Sequence, residues 1–213
     1  MGKKVIVIGA TGLVGTQLLN SLQQDTNVSE VICLVRRPVN YSFEKVSVHV
    51  VNFMDLEKYQ SLFDEVTDVI CCVGTTMNIA KTKEQFQIVD HYIPKVVGRL
   101  AKASGVQSYS LVSSLGADKD SRSFYLRVKG NIESDLQKFG FDRLLIYRPS
   151  LLLGKRVPAR SGEVVMTLFF KWFFWAIPKK YHATDSCVLA DLMSKDISTV
   201  DSGVHIFEAV MIK

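Results

Sequence analysis

The chain has 213 residues, 47% of them hydrophobic, with a formal net charge of +5. That length and apolar content suit one well-packed domain, and no internal repeat, low-complexity run or Gly/Ser/Pro-rich linker divides it. The lysines are spread along the chain, so the charge reads as a mildly basic surface that partly serves an anionic ligand, ahead of a nucleic-acid or membrane-surface reading.

The first apolar run, VIVIG at 5–9, reads as a buried strand. Val5–Ile8 is too short for a signal peptide and leads into glycines rather than a cleavage site. Gly9, Gly12 and Gly15 follow in GATGLVG, and Leu13, Val14, Leu18, Leu19 and Leu22 share a helical face over 12–24. The spacing is GxxGxxG rather than GxGxxG, but the physics is similar. The first glycine permits a tight turn, the second lets the backbone approach a pyrophosphate, and the third lets helix and strand pack closely. The helix start then offers N–H groups to phosphates. A tight turn without a ligand is the alternative, yet a strand-to-helix junction is the context this motif requires. Thr11, Leu13 and Val14 fall within the same GATGLVG motif as expected cofactor contacts.

The second strand, 29–37, ends in Arg36-Arg37. An acid here would bond the ribose 2′-hydroxyl of NAD, whereas arginine suits the 2′-phosphate of NADP. The expectation is NADP(H) ahead of NAD(H); two solvated arginines are the alternative. A third strand, 46–51, precedes a short helix at 55–63. Asp55 could accept from an adenine amino group or cap that helix. The fourth strand, 67–74, carries Val73, Gly74 and Thr75 to the carboxyl edge of the sheet, where open α/β proteins bind ligands. Residues 84–104 read as a long helix kinked at Pro94 and ended by Gly105. A fifth strand at 106–114, a helix at 122–139 stopped at Gly140, and a sixth strand at 142–150 complete the series. Strands apolar throughout are buried on both faces, and their alternation with helices implies parallel crossovers. The expected class is α/β: a Rossmann-like, doubly wound parallel sheet in three αβα layers.

Cys33, Cys71, Cys72 and Cys187 form no CxxC, and three lie in apolar runs, which suits a reducing, cytoplasmic setting. The four histidines are scattered without ligand spacing, so no metal site is expected.

Tyr125 and Lys129 are four residues apart on the expected helix and so share a face. A neighbouring ammonium favours the phenolate and brings a tyrosine hydroxyl closer to useful proton exchange. Ser113 and Ser114 end the fifth strand at the edge facing the cofactor, where a hydroxyl can hold a carbonyl oxygen. A Tyr–Lys pair on a wet helix face is the alternative.

Taken together, GxxGxxG at 9–15, Arg36-Arg37, CCVGTT at 71–76, SSLGADK at 113–119, YLRVK at 125–129 and RPSLLLG at 148–154 resemble the short-chain dehydrogenase/reductase superfamily in its atypical branch. Among them CCVGTT, SSLGADK and RPSLLLG, together with VDHYIPK at 89–95, look particularly like the Tat-interacting oxidoreductase subgroup and its bacterial members. The resemblance implies a Rossmann fold, NADPH binding and hydride transfer to or from a small carbonyl or alcohol. It implies Tyr125 as general acid/base and Lys129 as the group that lowers its pKa and bonds the nicotinamide ribose. Ser114 would orient the carbonyl, with Ser113 as second choice; Pro149 and Ser150 would lie beside the nicotinamide, and Arg148 would join the cofactor contacts. The sequence departs from the superfamily in having CVGT for NNAG, and Asp90 where a relay asparagine is usual. An NADPH-binding regulatory, redox-sensing protein with little turnover is the alternative function.

The run at 164–178 is the densest in aromatics and too short for a membrane span, which needs about 20 apolar residues. It reads as a helix packed on the sheet and closing over an apolar substrate, so that about 150–213 form a covering segment. The alternatives are a homodimer patch or a membrane contact.

Overall fold

The computed structural model describes residues 2–154 and 183–212. The aromatic run at 164–178, with its lid, dimer and membrane readings, lies outside the described residues.

The strands in chain order are β1 Lys3–Ile8, β2 Val28–Val35, β3 Val46–Val50, β4 Asp68–Cys71, β5 Ser108–Val112, β6 Arg143–Arg148, β7 Leu152–Leu153, β8 Thr184–Asp185 and β9 Gly203–Glu208. Seven of them form one parallel sheet in the order β3-β2-β1-β4-β5-β6-β9, while β7 and β8 make a small parallel ladder of their own. The expected doubly wound sheet is therefore present, with one strand more than the sequence suggested.

Helices cover both faces, which is why the central strands are apolar without alternation. Ile6 and Ile8 of β1 face a cluster containing Val97 and Leu100 of α4 (Ile93–Ala103) and Ile132 and Leu136 of α5 (Phe124–Lys138). Val5 and Val7 face the other cluster, with Leu18 and Leu19 of α1 (Leu13–Gln24) and Leu189 and Met193 of α6 (Ser186–Thr199). Residues 186–208, expected inside a covering segment, instead supply the last helix of one layer and the last strand of the sheet. Strand β9 escapes a sequence reading because it is an edge strand: Val204 and Ile206 are exposed, so it lacks a buried apolar run.

Residues 56–63 form a 3₁₀ helix, Leu56–Phe63. A four-residue turn of helix, α2 (Met77–Ala80), then leads to α3 (Lys83–Gln87). The irregularity expected at Pro94 lies upstream of it. Between α3 and α4 the chain makes a π turn, Ile88–Tyr92, in which the Ile93 N–H bonds the Ile88 carbonyl five residues back. Pro94 has no N–H for the Asp90 carbonyl, and its ring crowds that oxygen. A widened turn relieves the crowding, and Pro94 itself then sits in the first turn of α4.

At the amino edge of the sheet, buried Asp68 accepts from Lys3 Nζ and from Arg143 Nη2, both at 2.9 Å. Arg143 also donates to Ser108 Oγ and to the Val200 carbonyl, each at 3.0 Å. This latch joins β1, β4, β5 and β6 at one rim. The loops at the opposite, carboxyl rim are left to form a site.

Candidate active site

Strands β1 and β4 are neighbours, and the chain leaves them toward opposite sides of the sheet. A crevice at the carboxyl ends is the consequence. Its floor is the glycine turn. Gly9 has φ +80°, and a Cβ there would lie 2.6 Å from the Cys72 carbonyl carbon. A Cβ at Gly15 would lie 2.2 Å from the Gly9 carbonyl oxygen, so helix α1 can approach β1 this closely only without a side chain. Gly12 supplies no capping side chain, and the first turn of α1 has no acid. The positive end of that helix is thus open to an anion.

Two clefts meet at Gly12, Cys72, Val73 and Gly74. The smaller, about 480 Å³, is lined by Gly9, Thr11, Arg36, Arg37 and Phe53. Both arginines are exposed, and neither has an ion-pair partner among the described residues. Asp55 corrects its sequence reading as a helix cap. It lines neither cleft, and its carboxylate makes no cap bond although it stands at the cap position; it pairs with Lys58. Its place one residue beyond the Phe53–Met54 turn, half-buried and beside an i+3 lysine, accounts for that.

The larger cleft, about 910 Å³, brings together Leu13, Val14, Thr75, Ser114, Tyr125 and Lys129. Ser113, Arg148, Pro149 and Ser150 complete the wall beside them. Gly15 lies beneath, against β1. Tyr125 stands at the rim, partly exposed, with its ring edge-on to Phe86 at 5.7 Å between centroids.

Lys129 is buried, and its Nζ lies 2.8 Å from Asp90 Oδ1 and 3.4 Å from the Val112 carbonyl oxygen. Asp90, also buried, accepts from the Thr75 N–H at 2.9 Å through Oδ2. Burial alone would lower the lysine's pKa, but the Asp90 carboxylate and then Tyr125 outweigh it and hold the ammonium charged, above its ordinary value. The sequence flagged Asp90 only as a departure; the π turn carries it into contact with Lys129.

Two serines that look equivalent in sequence part here. Ser113 is buried and donates to Glu133 Oε1, whereas Ser114 lines the cleft and, among the described residues, has a 3.5 Å contact to the Leu115 carbonyl. The Arg148 guanidinium reaches Glu133 through Nε at 3.1 Å and Nη2 at 2.6 Å, and Glu208 through Nη1 at 2.9 Å. Its pKa is raised, chiefly by the Glu133 hydrogen bonds. Neither Glu133 nor Glu208 was anticipated; the one available signal was Glu133 falling four residues after Lys129.

The residues present fit a nicotinamide dinucleotide: a side-chain-free turn under an uncapped helix start, cationic side chains beside one cleft, and hydroxyls with a charged pair in the other. Residues 9–153 match the NAD(P)H-binding family. The chain is 35% identical over 171 residues to Protein HTATIP2 of Rattus norvegicus, covering 79% of this chain and 70% of that protein. It is 36% identical over 170 residues to Protein FMP52, mitochondrial, of Debaryomyces hansenii, covering 78% and 73%. The Bordetella bronchiseptica enzyme WbmH in complex with NAD+ superposes with a TM-score of 0.71 at 14% identity, over 97% of this chain and 75% of that one, a likeness of fold. Sequence and architecture agree, and the chain belongs to the NAD(P)H-binding family as a Rossmann protein of the atypical short-chain dehydrogenase/reductase type.

Proposed function

We propose that this protein is an NADP-dependent oxidoreductase acting on a small carbonyl or alcohol through Ser114, Tyr125 and Lys129. The observation that carries the reading is their convergence in one cleft, contiguous with the glycine turn. Bound nicotinamide would supply or accept the hydride. Ser114 orients the carbonyl oxygen, and Tyr125 gives or takes its proton. Lys129, held charged by Asp90, supports the phenol from below. Leu115, Leu126 and Leu151 also line the cleft and favour an apolar substrate. The arginines after β2, without an ion-pair partner among the described residues, favour NADP(H) over NAD(H).

The test is NADPH oxidation by the purified protein against aldehydes, ketones and quinones. Tyr125→Phe should lower turnover by roughly 100-fold or more, the range for loss of a positioned acid, with folding and NADPH affinity retained. Equal turnover by the variant would sink the reading.

One observation favours a second reading, a regulatory NADPH-binding protein with little turnover. The Lys129 ammonium is already bound by a buried carboxylate. That reading predicts intact NADPH binding and no oxidation above background across the same panel. Free cysteines at 33, 71, 72 and 187 support a reducing compartment, and we propose the cytoplasm, although the Debaryomyces hansenii relative is named mitochondrial. Among the described residues no helix is long and apolar enough to cross a membrane.

A further inference from the structure

Three residues four apart, Tyr125, Lys129 and Glu133, run along one face of α5. The first two line the cleft; the third lies behind its wall, only 3% exposed. A carboxylate so buried needs partners, and each partner of Glu133 immediately precedes a residue facing the cleft. Ser113 Oγ donates to it, and Ser114 follows Ser113 at the end of β5. Arg148 grips it with two nitrogens, at 3.1 and 2.6 Å, and Pro149 and Ser150 follow Arg148 at the end of β6. The third Arg148 nitrogen ties the group to Glu208 at the end of β9. Backbone bonds close the arrangement: Ser113 N–H to the Tyr147 carbonyl at 2.7 Å, and Leu115 N–H to the Pro149 carbonyl at 2.9 Å.

We infer that Glu133 is a positioning residue: through Ser113 and Arg148 it fixes where the Ser114 hydroxyl and the Pro149–Ser150 wall stand relative to Tyr125 and Lys129. The inference rests on the oxidoreductase reading for its kinetic consequence, but not for its geometric one. A planar fork between carboxylate and guanidinium defines distance and angle together, which a single contact does not. The carboxylate touches neither cofactor nor substrate space, so its effect is on alignment. A misplacement of about 1 Å can lower a rate about 100-fold.

The experiment compares wild type with Glu133→Gln, which keeps the shape and removes the charge, and Glu133→Asp, which keeps the charge and withdraws it by one methylene. Three quantities are read on folded protein: NADPH affinity, the emission of the bound nicotinamide, and kcat against KM. NADPH affinity should stay within about threefold, because the glycine turn and Arg36-Arg37 lie away from Glu133. The bound emission should move toward that of free NADPH, and kcat should fall roughly 10- to 100-fold with little change in KM. A purely structural role would lower stability and leave emission and kcat per folded molecule alone. Unchanged emission in a folded variant overturns the inference whatever the turnover, as does unchanged kcat in an active enzyme. Should Glu133→Gln fail to fold, Glu133→Asp decides by the same readings. Absent turnover in wild type with normal bound emission would instead remove the oxidoreductase reading, and the emission of the variants would still decide the role of Glu133.

Discussion

Arg37 lies two residues beyond β2 at the mouth of the smaller cleft, exposed and without an ion-pair partner among the described residues. A charge-assisted bond to a phosphate contributes about 1.5–3 kcal/mol. Arg37→Glu replaces that attraction with repulsion, so NADPH affinity should fall roughly 10- to 100-fold while NADH affinity holds or rises, as measured by calorimetric titration. Equal affinity of the wild type for the two nucleotides would remove the preference for NADP. The arginine pair was legible in sequence because the motif fixes where a strand-end residue lands. Asp90 and Glu133 were not. On a helix, a charged residue looks like part of a solvated face until the partner that buries it is known, and those partners, Lys129 with Thr75 and Ser113 with Arg148, come from other elements. The Asp90–Lys129 contact also shows why such a pair need not be read as a stabiliser. Removing two charges from water offsets much of their attraction, so its position in the cleft is the more informative property.

Helix α5 illustrates the same point for elements. Gly130 sits in its interior, where alanine would ordinarily favour the helix by about 1 kcal/mol. Here a Cβ would lie 2.2 Å from both the Asp118 carbonyl carbon and the Lys119 nitrogen. Gly130→Ala should therefore destabilise the protein by about 1–3 kcal/mol, the range for overpacking against atoms that cannot step aside. Urea denaturation measures this, and a stabilised variant would show that the 118–119 backbone moves freely. Sequence periodicity located six strands and the helices between them: β1, β2, β4 and β6 by apolar runs buried on both faces, and the edge strand β3 by its alternating valines although it is only partly buried. It could not foresee the π turn, which follows from one missing N–H at Pro94 and shifts the register of everything before it. Helix α6 had readable features, an Asp185 cap on the Cys187 N–H and Leu189, Met193 and Ile197 on one face, but the aromatic run before it drew the reading toward a covering segment.

For the molecule as a whole, the Asp68 latch and the cleft lie at opposite rims of the sheet. Asp68→Ala leaves the Lys3 and Arg143 charges without their shared carboxylate. Breaking a buried pair from one side destabilises by about 3–5 kcal/mol, lessened here because Lys3 and Arg143 keep some solvent contact. The denaturation midpoint should fall while NADPH affinity per folded molecule is unchanged; a parallel loss of affinity would mean that the two rims are coupled. The parallel run of all seven strands gives the fold a direction, with its fastenings at one end and its working parts at the other. A lineage built on such a frame can revise what it recognises by altering loops at the working end, and the fastenings need not change with them.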